Sequence, residues 1–347
     1  MNNKARVDDG FAATYSFRDP RFAARARLIQ IPPRLDKLPR QKTRLRDELI
    51  LFVRVVLAAL REHTLLLFSS RGRFKPELLA TIFIGFWPRR FRPAILLYGE
   101  MYEPTGGFRG RAERRIMQLA DRAITRYVVY TEAERQIFPR LWRVDAAKMR
   151  VCSVYHGPAR PGTDVPKKPR GRHIFAGGNS FRNYQPLIEA ARQLPDYEFI
   201  IATTKLAGLT DLPSNVKAGA VSPQQYLQLI ETAGAVVVPL RVGLHRLTGL
   251  ITYFQSMWLK KPTIVSDALG VREHIQDGET GLIVDGSAES YAQALRWVLD
   301  PANNEQVNRM CDNAHTSILE RFTVEHHVTH VLAAIDEVMG RRHVLPR

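Results

Sequence analysis

Apolar positions along this chain fall into two alternating patterns. Short, continuous runs rich in Val, Ile and Leu read as buried strands, and longer stretches with apolar residues every three or four positions read as amphipathic helices. Leu28 to Ile31 is the first strand candidate. Asp47 to Glu62 is a helix with a broad apolar face of Leu49, Ile50, Phe52, Val53, Val56, Leu57 and Leu60. Thr64 to Phe68 reads as a strand, Lys75 to Phe86 as a strongly apolar helix, and Ala94 to Tyr98 as a strand. Ala112 to Tyr127 then reads as a helix and Val128 to Tyr130 as a strand. Thr131, with Glu134 three residues on, has the spacing of a capping box and opens another helix before a strand at Met149 to Val154. A second series has strands at His173 to Ala176, Glu198 to Ala202, Val216 to Ala218 and Ala235 to Pro239, with helices at Gln185 to Gln193 and Gln224 to Thr232. Residues 1 to about 25 show no element. Apolar strands alternating with helices predict an α/β fold with parallel sheets covered on both faces.

Length and charge divide this pattern in two. A chain of 347 residues with 45% hydrophobic content favours two domains over one. The Pro-, Gly- and base-rich stretch Pro158 to Arg172 reads as the linker between them. Residues 1–165 hold 32 Lys and Arg against 16 Asp and Glu, whereas residues 166–347 hold 19 against 18. A basic first half points to a polyanion, an anionic membrane surface or a charged lipid carrier; the alternative is solvated charge with no partner. The apolar helices between Leu49 and Arg92, flanked by arginines, are either ordinary core or a surface that rests on lipid. Specific nucleic-acid binding is not expected, because no recognised module is present and the bases are not interleaved with stacking aromatics. Cys152 and Cys311 fit neither a disulfide framework nor a metal-ligand spacing, and indicate a reducing compartment. No apolar leader opens the chain and no window is long enough to span a bilayer, so a soluble or peripheral cytoplasmic protein is expected.

Candidate chemistry gathers where strands end. Val236 to Val284 holds a β-branched run closing in Pro239, a basic loop, Gly249 at the start of a helix, and two further apolar runs. A glycine at a loop-to-helix junction suits an anion, since free N–H groups and the helix dipole meet there. Gly177-Gly178-Asn179, leaving a strand with Arg182 before the next helix, suits a diphosphate in the same way, and Lys205 follows the next strand. Glu100 and Glu103 lie in the loop Gly99 to Gly107 beyond a strand end, a place where ligands collect in parallel sheets. Either could act as a general base toward an acceptor hydroxyl or orient it; Glu100 could instead pair with Arg109 or Arg111. Tyr253, Phe254, Met257 and Trp258 have the spacing of a core-facing helix stripe.

A family resemblance rests on these residues. Arg114-Arg115, Ala120-Asp121-Arg122, Thr131-Glu132-Ala133-Glu134-Arg135 and Lys148-Met149-Arg150-Val151 look like the last third of the N-terminal domain of family 4 (group 1) glycosyltransferases. From His173 to about Met339 the chain resembles their donor-binding half. The motifs are Gly177-Gly178 with Arg182, Pro213-Ser214-Asn215-Val216, Val236 to Leu240, Gly249, Ser256 to Pro262 before Ile264 to Asp267, Gly281 to Val284, and Arg321-Phe322-Thr323.

The resemblance implies the GT-B fold, two Rossmann-like domains facing across a cleft. Residues 1–160 would bind acceptor, 161–172 link, 173–325 bind donor, and the helix in 326–347 cross back to the first domain. It implies a sugar moved from a nucleotide-diphosphate donor, with no cofactor and no metal; the basic charge of the first half suits a lipid-linked, lipopolysaccharide or polysaccharide acceptor at the inner face of a membrane. Gly177, Gly178, Asn179, Arg182, Lys205, Gly249, Leu250, Ile251 and Thr252 would hold the donor diphosphate, completed by one of Arg241, His245 and Arg246, of which Arg246 is the choice. Apart from the resemblance, its place beyond a strand end makes Glu100 the candidate catalytic group, with Glu103, Gly106 and Gly107 at the acceptor.

The family carries two glutamates seven residues apart after Pro239-Leu240. Here the second position is Gln255 and the first falls at Leu247 or Thr248. Gln255 can still bond ribose hydroxyls. The missing acids leave retention or inversion of configuration undecided, and motivate the alternative of a catalytically idle nucleotide-sugar or glycan-binding protein.

Overall fold

Runs that are apolar throughout need both faces covered, and a parallel sheet between helical layers supplies that cover. The computed structural model describes residues 5–8, 19–29, 45–68, 75–98, 103–154 and 170–344. Within them the strands form two six-stranded sheets in which every pairing is parallel. The chain divides into two compact units, residues 1–154 with 324–347, and residues 155–323.

The first unit is built on β1 (Ala5–Asp8), β2 (Ala26–Ile29), β3 (Thr64–Phe68), β4 (Ala94–Tyr98), β5 (Ile124–Val129) and β6 (Met149–Val151), in the order β2-β1-β3-β4-β5-β6. One face is covered by α2 (Leu45–Arg61), α3 (Pro76–Ile84), α4 (Gly107–Asp121) and α5 (Glu132–Trp142), after the short α1 (Pro20–Arg25). Leu51 and Val55 of α2, Leu78 and Ile84 of α3, Met117 of α4 and Phe138 and Trp142 of α5 meet Leu65, Ile95 and Tyr127 there. The other face buries Leu66, Leu96 and Val128 against Phe22 of α1 and Val328, Val331, Ala334, Ile335 and Val338 of the final helix, Val324–Val344.

The second unit has β7 (Ile174–Gly177), β8 (Phe199–Ala202), β9 (Val216–Gly219), β10 (Ala235–Val238), β11 (Thr263–Ser266) and β12 (Leu282–Val284), ordered β12-β11-β10-β7-β8-β9. Its helices are α6 (Gln185–Arg192), α7 (Pro223–Glu231), α8 (Leu250–Trp258), α9 (Val271–His274), α10 (Ala288–Leu299) and α11 (Asn304–Arg321); the final helix is α12. Leu187 and Ile188 of α6, Leu295 and Val298 of α10 and Met310 of α11 pack on one sheet face. Tyr253, Phe254, Met257 and Trp258 of α8 are all buried, as their spacing predicts.

Three expectations need correcting. The N-terminal residues are not devoid of structure: β1 forms there through its pairing with β2 and β3, and α1 through the burial of Phe22, rather than by any local periodicity. The helix expected at Ala112 to Tyr127 begins at Gly107 and ends at Asp121, and Ile124-Thr125-Arg126-Tyr127 belongs to β5. β-branched and aromatic residues win that boundary because β5 pairs along its length with β4. The first strand candidate sits two residues earlier, at Ala26–Ile29.

Candidate functional site

In the second sheet the strand order reverses between β7 and β10: successive strands step one way from β7 to β9, then the other way from β10 to β12. Loops leaving the carboxyl ends of two such neighbours diverge and open a crevice for a ligand. The loop after β7 and the loop after β10 meet at this point. Arg182 and Leu240 form an isolated antiparallel bridge, the Arg241 N–H donates to Phe181 O at 2.9 Å, and the Asn183 N–H donates to Pro239 O at 2.9 Å.

Side chains line this junction in a chain of contacts. A Cβ on Gly177 would lie 2.5 Å from the Tyr226 ring, so the absence of a side chain there lets Tyr226 of α7 reach across the end of β7. The Tyr226 hydroxyl shares a 2.8 Å hydrogen bond with Thr252 Oγ1 in the first turn of α8. Arg182 donates from Nε to Gly177 O at 3.1 Å, from Nη1 to Ser180 O at 2.9 Å and from Nη2 to Thr252 Oγ1 at 3.4 Å. Its partners are all neutral, and among the described residues no carboxylate pairs with it. Desolvation lowers its pKa from the ordinary arginine value.

Lys205, just beyond β8, lies near enough for the charges of Arg182 and Arg241 to act on it. Burial first, and these two cations second, hold its pKa below the ordinary lysine range. Three positive groups therefore converge where the first two strand ends and the α8 loop meet. Asn179 ties this corner together: its Oδ1 accepts from Thr203 Oγ1 at 2.7 Å and from the Thr204 N–H at 2.9 Å.

Helix α8 opens at this junction with Gly249 in the left-handed region, φ +85°, where a Cβ would meet Leu240 Cδ2 at 2.7 Å. Both strain and space restrict the position to glycine. The N–H groups of Thr252 and Tyr253 return to Gly249 O; those of Leu250 and Ile251 precede the first intrahelical bonds. One turn on, Gln255 is buried, and its side chain makes no hydrogen bond among the described residues. Thr248 Oγ1 is likewise buried without a partner.

The structure thus brings Gly177, Gly178, Asn179, Arg182, Lys205, Gly249, Leu250, Ile251, Thr252 and Gln255 to one end of one sheet. Arg246 takes a different place from Arg241 on the same loop. It is buried with its guanidinium over the Phe181 ring, 5.0 Å from the centroid, whereas Arg241 is exposed and acts on Lys205. Tyr226 and Arg241 are the participants that sequence reasoning missed or ranked lower. No local signal marks Tyr226, because its contact with Gly177 joins distant parts of the chain.

In the first unit, Glu100 lies outside the described residues. Glu103 is half-buried, and Gly106 and Gly107 are exposed at the start of α4. Arg109 pairs at 3.3 Å with Glu113, whose other oxygen accepts from Thr105 Oγ1 at 2.9 Å. Among the described residues, no group of three or more His, Cys, Asp or Glu is placed to hold a metal ion, and no helix is long and apolar enough to cross a membrane.

Comparison with known proteins decides the class. Residues 174–301 match the model of the family Glycosyl transferases group 1. The matched stretch lies wholly within the second unit. No curated protein matches the chain by sequence. Among solved structures, Anabaena Alr3699/HepE in complex with UDP-glucose is similar with a TM-score of 0.69 at 14% identity, over 96% of this chain and 99% of that one. Sucrose-phosphate synthase from Thermosynechococcus elongatus gives 0.67 at 16%, over 91% and 84%. A glycosyltransferase from Rickettsia africae gives 0.64 at 13%, over 97% and 90%. The expected GT-B fold and glycosyltransferase class are met, and the crevice between β7 and β10 lies inside the matched domain.

Proposed function

We propose that the second unit binds a nucleotide-diphosphate sugar at the β7–β10 junction, and that the first unit presents an acceptor to it. The observation that carries this reading is the convergence of Arg182, Lys205 and Arg241 on the N-terminal end of α8. Positive charge with no acidic partner, set beside free helix N–H groups, is complementary to a diphosphate. Groups held in that way also stabilise the charge that builds on the departing nucleotide diphosphate, which is the main barrier-lowering task in glycosyl transfer from such donors. Gln255, buried and with no bond from the protein, is available to the ribose hydroxyls. A UDP-sugar is the first donor to test, because HepE was solved with UDP-glucose.

On the acceptor side, the basic charge of the first half favours a membrane-associated or polysaccharide acceptor, lipid-linked or part of a lipopolysaccharide, in cell-surface glycan synthesis at the cytoplasmic face of a membrane. Glu100 is the proposed catalytic carboxylate, with Glu103, Gly106 and Gly107 shaping the acceptor loop.

Thermal-shift titration of the full chain with UDP, GDP and ADP tests the donor site. Stabilisation by one of them, reduced in Lys205→Ala, is expected; no shift with any nucleotide overturns the assignment. The lack of a glutamate at position 255 favours one second reading, an idle binding protein. Nucleotide-sugar binding with no hydrolysis or transfer, even with lipid acceptors present, would select it.

A further inference from the structure

Helix α2 carries apolar side chains on two sides. Leu51, Val55, Ala58 and Ala59 are buried in the core of the first unit. Leu45, Leu49, Val53, Leu57 and Leu60 are 44% to 70% exposed, and their spacing of four and then three residues sets them in one stripe along the whole helix. A helix packed on a sheet needs a single apolar stripe, and the second has no use inside the fold. Helix α3 extends the surface with exposed Leu79 and Phe83, followed by exposed Phe86 and Phe91. The Phe52 and Phe83 rings, with centroids 6.1 Å apart, join the two helices.

The exposed charges carried by α2 and α3 have one sign, although the half-buried Glu62 follows α2 directly. Asp47 and Glu48 of α2 and Glu77 of α3 are buried, so every acid of the two helices faces inward. Arg46, Arg54 and Arg61 of α2 are exposed, as are Arg89 and Arg90 beyond α3, and Arg90 stands 4.7 Å over the Phe91 ring.

We propose that the exposed face of α2 and α3 is a docking surface for an anionic lipid bilayer, the apolar stripe entering the interface and the arginines meeting headgroup phosphates. Apolar residues bordered by cations complement an anionic membrane surface. A second copy of the chain fits less well, because a two-fold contact through this face would set arginines against arginines.

The fold gives such docking a purpose. The short Glu62-His63 turn joins α2 to β3, so helix and strand run in opposite directions and the Leu45 end of the stripe lies toward the carboxyl edge of the sheet. Glu103, Gly106 and Gly107 follow the carboxyl end of β4 in the same sheet. A bilayer on α2 would therefore lie beside the proposed acceptor loop. This purpose rests on the membrane-associated acceptor proposed above; the surface itself does not.

Flotation of the full chain with vesicles tests the surface. With equimolar phosphatidylglycerol and phosphatidylcholine, the chain should float at low salt, and less so as salt rises. Phosphatidylcholine alone should hold far less. Leu49→Glu/Leu57→Glu should abolish flotation, and Arg46→Ser/Arg61→Ser should weaken it about 30-fold, from the loss of two cations at the surface. Both variants should keep the wild-type nucleotide shift, which reports on the donor site independently. If the glutamate variant fails to fold by circular dichroism, the arginine variant carries the test. Absence of flotation with folded wild-type protein, or flotation untouched by the arginine pair, overturns the proposal. So does self-association that the glutamate pair abolishes without any binding to vesicles, which would assign the face to a second copy.

Discussion

Lys205 sits in a field of its own sign, and that makes its contribution measurable. A charge-assisted bond to a diphosphate contributes about 1.5–3 kcal/mol, so Lys205→Ala should weaken nucleotide binding about 10- to 100-fold by calorimetry. The lysine binds the anion only while protonated, and burial together with Arg182 and Arg241 lowers its pKa. Affinity should therefore be full below that pKa and fall as pH rises through it, earlier than for an ordinary lysine; Lys205→Arg should flatten the profile. His274 gives the opposite dependence, for stability. Its Nδ1 meets the Tyr253 hydroxyl at 2.7 Å, and burial, with Arg321 adding, brings its pKa down to about 3. The unfolded chain then binds the extra proton first, so stability is full above about pH 6.5 and declines toward pH 3, by about 3 kcal/mol at pH 4. Acid unfolding monitored by circular dichroism should show this slope, reduced in His274→Phe. At this scale the placement of Gly177, Gly178 and Arg182 beside a strand end was legible, because they follow β7 directly in the sequence. Arg241 and Arg246 were not separable: their opposite fates depend on the Phe181 ring, which a backbone in the left-handed region (φ +53°) places under Arg246.

Elements place these residues, and their ends are where small changes act. Gly249→Ala would force a Cβ to 2.7 Å from Leu240 at a positive φ, costing about 1–3 kcal/mol and displacing the first turn of α8. Both melting temperature and nucleotide affinity should fall. Ser222 caps α7 in a complete capping box with Gln225, and α7 carries Tyr226 to Thr252. Ser222→Ala should cost about 1 kcal/mol in urea unfolding, with a smaller loss of affinity than Gly249→Ala. Strands β3 and β4 were legible to the residue, since Thr64–Phe68 and Ala94–Tyr98 are apolar runs with clear polar or proline boundaries. The strand β1 was not, because Ala-Arg-Val-Asp has no pattern of its own and exists through pairing with β2 and β3. The helix-to-strand boundary near Asp121 was misplaced for a related reason: Ile124 to Tyr127 continues a helical spacing, but long-range pairing with β4 takes precedence.

For the whole molecule, the chain divides into two compact units, and the apolar residues of α2 divide between a buried set and an exposed set. The face of α2 that packs and the face that stays exposed overlap in any one-dimensional pattern, and burial separates them only in three dimensions. Helix α12 belongs to the first unit although it follows the second in the chain. Its Val328, Val331, Ala334, Ile335 and Val338 are buried, and losing five such side chains forfeits about 10 kcal/mol, comparable to the stability of a domain. Truncation after Thr323 should thus make the first unit sensitive to limited proteolysis while residues 170–323 remain resistant and retain the nucleotide shift.

That late helix also imposes an order of events on synthesis. A ribosome delivers all of the second unit before α12, so the sheet of the first unit emerges with one face still open while the intervening unit has every residue it needs to fold. The first unit can complete its core only once α12 has emerged, and until then the sheet face that carries Leu66, Leu96 and Val128 lacks that cover.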